Sequence, residues 1–181
     1  AVLGADFERR GPILEDAIAV VRAAFADEFP SVTTDTFTVE GVGLRPRPVQ
    51  SGGPPIWIGG SSPAAVRRAA QLGDGWLPQG PPKEGMAAAI ERIHRLREAA
   101  GRTDEPFVIG ANVEPIHVGE PDWHVGKWTL TGAPERIAER LRTFRDLGCH
   151  QLQVRFRSRS SDELVDQIDR FGADVLPLLN D

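Results

Sequence analysis

Residues Pro46–Pro82 read PRPVQSGGPPIWIGGSSPAAVRRAAQLGDGWLPQGPP. A short apolar strand, Pro55-Ile56-Trp57-Ile58, runs into Gly59-Gly60-Ser61-Ser62. Ser62 is a good N-cap, and Pro63 suits the first helical position. Gly73 closes that helix, the turn Gly73-Asp74-Gly75 follows, and Gly75-Trp76-Leu77 starts a second strand. Strand, glycine turn, helix start and strand form one βα unit. The turn also suits an anion, because bare glycines let backbone N–H groups approach it and the helix start adds its positive dipole end.

The same alternation continues toward the C-terminus. Strand 75–78 precedes a helix over about 83–100, with Met86, Ile90, Ile93 and Leu96 on one face and charged residues on a solvated face. Strand 107–114 leads to a helix over 134–147 with Ile137, Leu141, Phe144 and Leu147 in register. Strand 150–156 leads to a last helix over 161–176. Ser160 and Glu163 have capping-box spacing there, and Leu164, Ile168, Phe171 and Val175 are the expected buried face. Upstream, a helix over 12–26 places Leu14, Ile18, Val21 and Phe25 on one face, and residues 34–43 suggest a hairpin. Pro46 and Pro48 stiffen the connection that follows.

Four consecutive βα units predict a parallel sheet covered by helices. Units of similar length with short strands favour a (β/α)8 barrel over a doubly wound sheet. A complete barrel needs about 250 residues, whereas about 130 hold the four units here. The expected fold is therefore α/β, a partial (β/α)8 TIM barrel whose N-terminal half is absent. The whole of 1–181 is read as one domain, with residues 27–54 as a ribbon and proline-rich connection within it.

Composition narrows the function. Net charge is −5 across 181 residues, which argues against nucleic acid or an anionic membrane as partner. No apolar run reaches the roughly 18 residues that span a bilayer. A single cysteine, Cys149, excludes an internal disulfide framework and fits a reducing, cytoplasmic location. Cys149 reads as a small buried hydrophobe. The four histidines lack zinc-ligand spacing, so no metal is expected.

The chain resembles the luciferase-like monooxygenase family, closest to its actinobacterial oxidoreductases that use the deazaflavin coenzyme F420. The resemblance rests on Gly4-Ala5-Asp6-Phe7 with Arg9-Arg10, LEDAIAVVRAAF (14–25), RPRPVQ (45–50), PPIWIGGSSPAAVRRAAQLGDGWLP (54–78), TGAPERIAERLRTFRDLG (131–148) and DELVDQIDRFGADVLPLL (162–179). It implies strands five to eight of the barrel with helix four before them. It also implies a flavin-type oxidoreductase acting on a small organic substrate by hydride transfer or monooxygenation, with coenzyme F420 as cofactor and FMN as the alternative. The family half that lines the reactive ring lies upstream of these motifs. Two rivals therefore stand beside the enzyme: a flavin- or phosphate-binding module without catalysis, and an inactive remnant that pairs with itself or with a missing N-terminal half.

The candidate cofactor-binding residues are Gly59, Gly60, Ser61 and Ser62 for the phosphate, with Pro78 and Gln79 at the far end of the second strand. Catalytic residues are not assignable from the sequence. Gly73–Trp76 reads as structural, and Thr131–Glu135 as a capped helix start whose Glu135 opposes an anion. The connection 116–130 is long enough to be a functional lid. It carries His117, Asp122, Trp123, His124 and Lys127, whose solvated roles outweigh catalytic ones. Arg155 or Arg157 could meet an anion at the strand ends.

Overall fold

The computed structural model describes residues 6–179, so Gly4 and Ala5 of the family motif lie outside the described residues. Two compact units divide the chain, Ala1–Ile56 and Trp57–Asp181.

In the first unit, α1 (Arg10–Ala26) precedes a hairpin of β1 (Val32–Thr33) and β2 (Thr38–Val39). The hairpin closes through Thr34, whose N–H donates to Phe37 O (2.8 Å) and whose hydroxyl accepts from Phe37 N–H (2.9 Å). The last turn of α1 leaves carbonyls without helical donors. Arg47 fills that need, since its Nη2 donates to the carbonyls of Phe25 and Ala26, each at 3.1 Å. Of the expected apolar stripe on α1, Ile18 is buried while Leu14 and Val21 are 42% and 39% exposed.

The second unit holds the four βα units. Their strands are β3 (Trp57–Gly59), β4 (Gly75–Leu77), β5 (Val108–Asn112) and β8 (Gln151–Gln153), all parallel in the order β3-β4-β5-β8. The intervening helices are α2 (Pro63–Leu72), α3 (Met86–Ala99) and α4 (Pro134–Asp146). One sheet face carries Ile58, Trp76 and Ile109 in register, each at most 4% exposed. Fully buried small residues on the helices, Ala69, Ala70, Ala89 and Ala138, allow close helix–sheet approach. The alternate face carries Trp57, Leu77, Gly110 and Asn112. A Cβ on Gly110 would stand 2.9 Å from Leu77 Cδ1 and 3.2 Å from Trp57 Cζ3. Gly75 is likewise required by proximity, because a Cβ there would lie 2.8 Å from the Trp57 indole nitrogen.

Three expectations need correction. Residues 116–130 are not all connection: β6 (Ile116–Val118) and β7 (Leu130–Gly132) form a parallel pair at the two ends of the segment. β6 also reaches the end of β8, where Ile116 N–H donates to Arg155 O and Arg157 N–H donates to Ile116 O, both at 2.8 Å. The last helix, α5 (Ser161–Arg170), changes to a π-type turn over Phe171–Val175. Phe171 and Val175 are buried as expected, but Leu164 and Ile168 are 37% and 48% exposed and Gln167 is buried instead. Gln167 packs inward because its amide serves β6, accepting from Val118 N–H (2.6 Å) and donating to Val118 O (3.3 Å). Finally, Arg97 is no part of a solvated face. It is 4% exposed, its Nη2 donates to the carbonyls of Arg102 and Glu105 at 2.6 Å each, and it lies over the Phe107 ring. Burial lowers its pKa, and the neighbouring Arg102 adds to the effect.

Candidate functional site

Parallel strands place all their C-terminal ends on one side, together with the starts of the helices that follow. Ligands of α/β folds gather there because the loops and helix N-termini are free of the sheet ladder. Two features meet at that end of the sheet.

The first is the turn from β3 into α2. Gly60 has φ +102°, a conformation open to glycine and strained for other residues. Its N–H donates to Leu77 O (3.3 Å), and its carbonyl accepts from the Trp76 indole N–H (2.8 Å). The Ser61 hydroxyl donates to Gly80 O (2.6 Å), and the Ser62 hydroxyl accepts from Ala65 N–H (3.2 Å) as the helix cap. The expected roles therefore divide. The Gly60 amide and both hydroxyls shape the turn, whereas the amides of Ser61, Ser62 and Ala64 have no hydrogen-bond partner among the described residues. The first turn of α2 has no acidic residue, whereas α4 carries Glu135 and α5 carries Asp162 and Glu163 in theirs. Free amides, a positive dipole end and no opposing carboxylate are the chemistry of an anion cradle.

The second feature is a cavity of about 830 Å³ at the ends of β4, β5 and β8. Pro78 and Gln79 line it, as does Arg155 of the β8 extension. Sequence reasoning missed Asn112, Glu114, Trp128 and Arg140, which also line it. Asn112 had one available signal: it is a polar residue ending an apolar strand. Its Nδ2 donates to Pro78 O (2.7 Å), fixing the end of β4 against β5. Arg140 of α4 donates through Nε (3.1 Å) and Nη2 to Glu114 Oε1. Burial pushes the Glu114 carboxyl up, but the Arg140 hydrogen bond leads the effects that together hold it below the usual carboxylate range. Glu114 Oε2 is buried without a partner. The Ser61–Gly80 hydrogen bond joins the cradle to this cavity, because Gly80 is one of its lining residues. A volume of this size, with apolar walls and a few polar groups, suits a flat cofactor and a small substrate. These residues fit a group with a conjugated ring and an anionic tail.

The remaining expected residues lie elsewhere. His117, read as a loop residue, is 6% exposed in β6, and its Nδ1 is buried without a partner. Its Nε2 is 3.8 Å from Glu163 Oε1, and its ring stands nearly perpendicular to that of Trp123 with centroids 6.3 Å apart. Glu163 is the hub of this cluster. It accepts from Trp123 Nε1–H (3.1 Å) and from the backbone and side chain of Arg159, which also pairs with Asp122 at 3.2 Å. Hydrogen bonds from the Arg159 side chain, then from its backbone, hold the Glu163 carboxyl down at about 2 against an ordinary 4.5. A depressed carboxylate pKa stabilises the fold above the unfolded value and loses that contribution as pH falls toward the folded one. The clamp from α5 to the β6–β7 loop should therefore hold down to about pH 4.5 and weaken between there and about 2. Acid titration followed by Trp123 indole N–H exchange should show that step, and Glu163→Gln should lack it. An identical titration in the variant would refute the assignment. Cys149 is 7% exposed, and burial raises its thiol pKa, which suits a packing role.

Comparison with known proteins agrees with this architecture. The family described as luciferase-like monooxygenase matches residues 1–122. An uncharacterized protein of Mycobacterium tuberculosis is 33% identical over 108 residues, covering 60% of this chain and 36% of that protein. An FMNH(2)-dependent dimethylsulfone monooxygenase of Pseudomonas putida is 23% identical over 214 residues, covering 92% and 58%. Among solved structures, an F420-dependent secondary alcohol dehydrogenase bound to an F420-acetone adduct has a TM-score of 0.76 at 14% identity, covering 98% of this chain and 64% of that one. The monooxygenase RslO1 of Streptomyces bottropensis has a TM-score of 0.77 at 16% identity, covering 95% and 62%. The chain thus spans between about a third and two thirds of the length of these relatives. A family match over two thirds of the sequence, on a fold shared with an F420-dependent dehydrogenase and a monooxygenase, makes this chain a member of the luciferase-like monooxygenase family.

Proposed function

We propose that this chain carries the cofactor-tail site of a flavin- or deazaflavin-dependent oxidoreductase, with coenzyme F420 as the cofactor and FMN as the alternative. The reaction is hydride transfer to or from, or monooxygenation of, a small organic substrate. The observation that carries this reading is the turn at 59–62, where partnerless amides at an acid-free helix start adjoin a cavity of ring-binding size. The cofactor's ring supplies the redox chemistry. The protein's share is to bind and orient it. The amides of Ser61, Ser62 and Ala64 hold the phosphate, Gln79 and Asn112 present polar groups to the ring edge, and Pro78 lends an apolar wall. Arg155 adds positive charge at the rim.

The reading includes an incomplete barrel. Among the described residues β3 and β8 stand at the two ends of the four-stranded sheet. A closed barrel has no such ends, so in this reading further strands, from an N-terminal half or a second copy, complete the site. We take both compact units as parts of one luciferase-like domain, because the family match runs through both.

Titration with FMN and with F420, followed by absorbance, tests this directly. Either cofactor should bind, and inorganic phosphate should compete. Failure of both to bind, with the upstream half of a relative supplied in trans, would overturn it. Binding without turnover under reduced cofactor would instead identify a non-catalytic module.

A further inference from the structure

Trp128 is 74% exposed, yet it lines the same cavity as Gln79, Asn112 and Arg155. Single exposed apolar residues are ordinary and need no explanation. Trp128 differs in three respects. It stands on a built turn: the Thr129 hydroxyl donates to Val125 O (2.7 Å) and the Thr129 N–H donates to Gly126 O (3.0 Å). The other end of the loop is pinned through Asp122 to Arg159 (3.2 Å) and through Trp123 to Glu163 (3.1 Å). The indole is thus displayed by an anchored loop. Thirdly, Lys127 Nζ lies 5.0 Å from its ring centroid, so one part of the ring meets a cation while the residue still offers most of its surface.

The same cavity is lined by the apolar side chains of Pro81, Met86, Val113 and Phe144. An indole and apolar side chains that line one cavity are the groups that hold a flat conjugated ring, by stacking and by apolar contact. Lys127 beside it favours a ring that carries negative charge or electron-rich carbonyls.

We infer that Trp128 is a specificity-determining residue of this site, stacking a planar conjugated ring against the cavity wall with Lys127 at the ring's electron-rich edge. The inference rests on the reading under Proposed function for the site itself, but the tail cradle at 59–62 and the stacking wall at 128 are separate parts and separable by experiment. The shared chemistry is the flat ring. It can belong to the cofactor or to an aromatic substrate, and the two have different probes.

The test uses the full chain, with the upstream half of a relative supplied wherever FMN binding requires it. The ligands are FMN, lumiflavin (the ring without the phosphate tail) and 2-naphthoate added after FMN. Fluorescence of the wild type minus that of Trp128→Leu isolates this indole from Trp57, Trp76 and Trp123. Because Trp128 is exposed, the variant should keep the wild-type circular dichroism. If the ring is the cofactor's, lumiflavin should quench the Trp128 signal, and Trp128→Leu should weaken lumiflavin binding about tenfold, the scale of one lost aromatic stack. Inorganic phosphate should compete with FMN equally well in both proteins. If the ring is a substrate's, lumiflavin should leave Trp128 unchanged and 2-naphthoate should quench it. Unquenched Trp128 with all three ligands, and equal affinities in the variant, would overturn the inference while FMN binding left the tail site standing. Absence of any FMN or lumiflavin binding would remove both.

Discussion

Trp76→Ala should cost 3–5 kcal/mol of folding free energy, the range for deleting a large buried aromatic side chain, as about 1.5–2.5 M lost from a urea midpoint at a typical slope. Trp76 is 0% exposed and sits in register between Ile58 and Ile109 on the helix-covered face. Its removal creates a cavity that β3, β4 and β5 cannot close without losing their ladder. It also removes the indole N–H that satisfies Gly60 O at 2.8 Å. A lost hydrogen bond that leaves a carbonyl unpaired adds about 1–3 kcal/mol where water cannot enter. A total domain stability of about 5–15 kcal/mol makes this a large fraction. Trp76→Phe separates the two parts. It keeps most of the volume and loses the hydrogen bond, so it should fall between wild type and alanine. A loss below about 1 kcal/mol for the alanine variant would contradict the packing described for Trp76.

That one indole also shows how core and site are connected. Trp76 supports the carbonyl side of the turn whose far side offers free amides. The stability of β4 and the shape of the proposed anion cradle therefore share a residue. Trp76→Phe should widen the spread of Gly60 conformations and weaken tail binding even where the fold survives.

The βα alternation was readable because each unit carries its own punctuation. Ser62, Pro63 and Gly73 mark α2 at its observed ends, and Pro134 marks the start of α4. Such signals act within a few residues, so one sequence contains them. What stayed hidden depends on partners far along the chain. Gln167 is buried only because Val118, 49 residues away, needs both a donor and an acceptor. Periodicity counts a glutamine as outward and the apolar Leu164 and Ile168 as inward, and here the long-range demand won. β6 and β7 are three-residue strands with no alternation to detect, and their register pairs His117 with Thr131. Arg97 reads as surface because its recipients are carbonyls of a later turn. In the site, the glycine turn was legible and its division of labour was not. Which groups of the turn are engaged follows from Leu77, which takes the Gly60 amide, and Gly80, which takes the Ser61 hydroxyl, residues on another strand and its loop.

Gly60→Ala should have the second large effect, and it falls on binding more than on folding. At φ +102° an L-residue is strained, and the added Cβ would lie 3.1 Å from Ala65 Cβ in the first turn of α2. Backbone strain of this kind costs about 1–3 kcal/mol. The fold can relieve part of it by rotating the Gly60–Ser61 peptide, which turns the Ser61 amide away from its neighbours. A cradle works only while its amides converge on one point, so this relief sacrifices the anion. Loss of one of three charge-assisted hydrogen bonds, about 1.5–3 kcal/mol, corresponds to roughly a tenfold to hundredfold weaker FMN or F420. Lumiflavin, which has no tail, should bind the variant as it binds the wild type. Calorimetric titration with the three ligands separates the cases. A parallel loss of lumiflavin would mean a collapsed cavity, and unchanged FMN affinity would move the tail site away from residues 59–62.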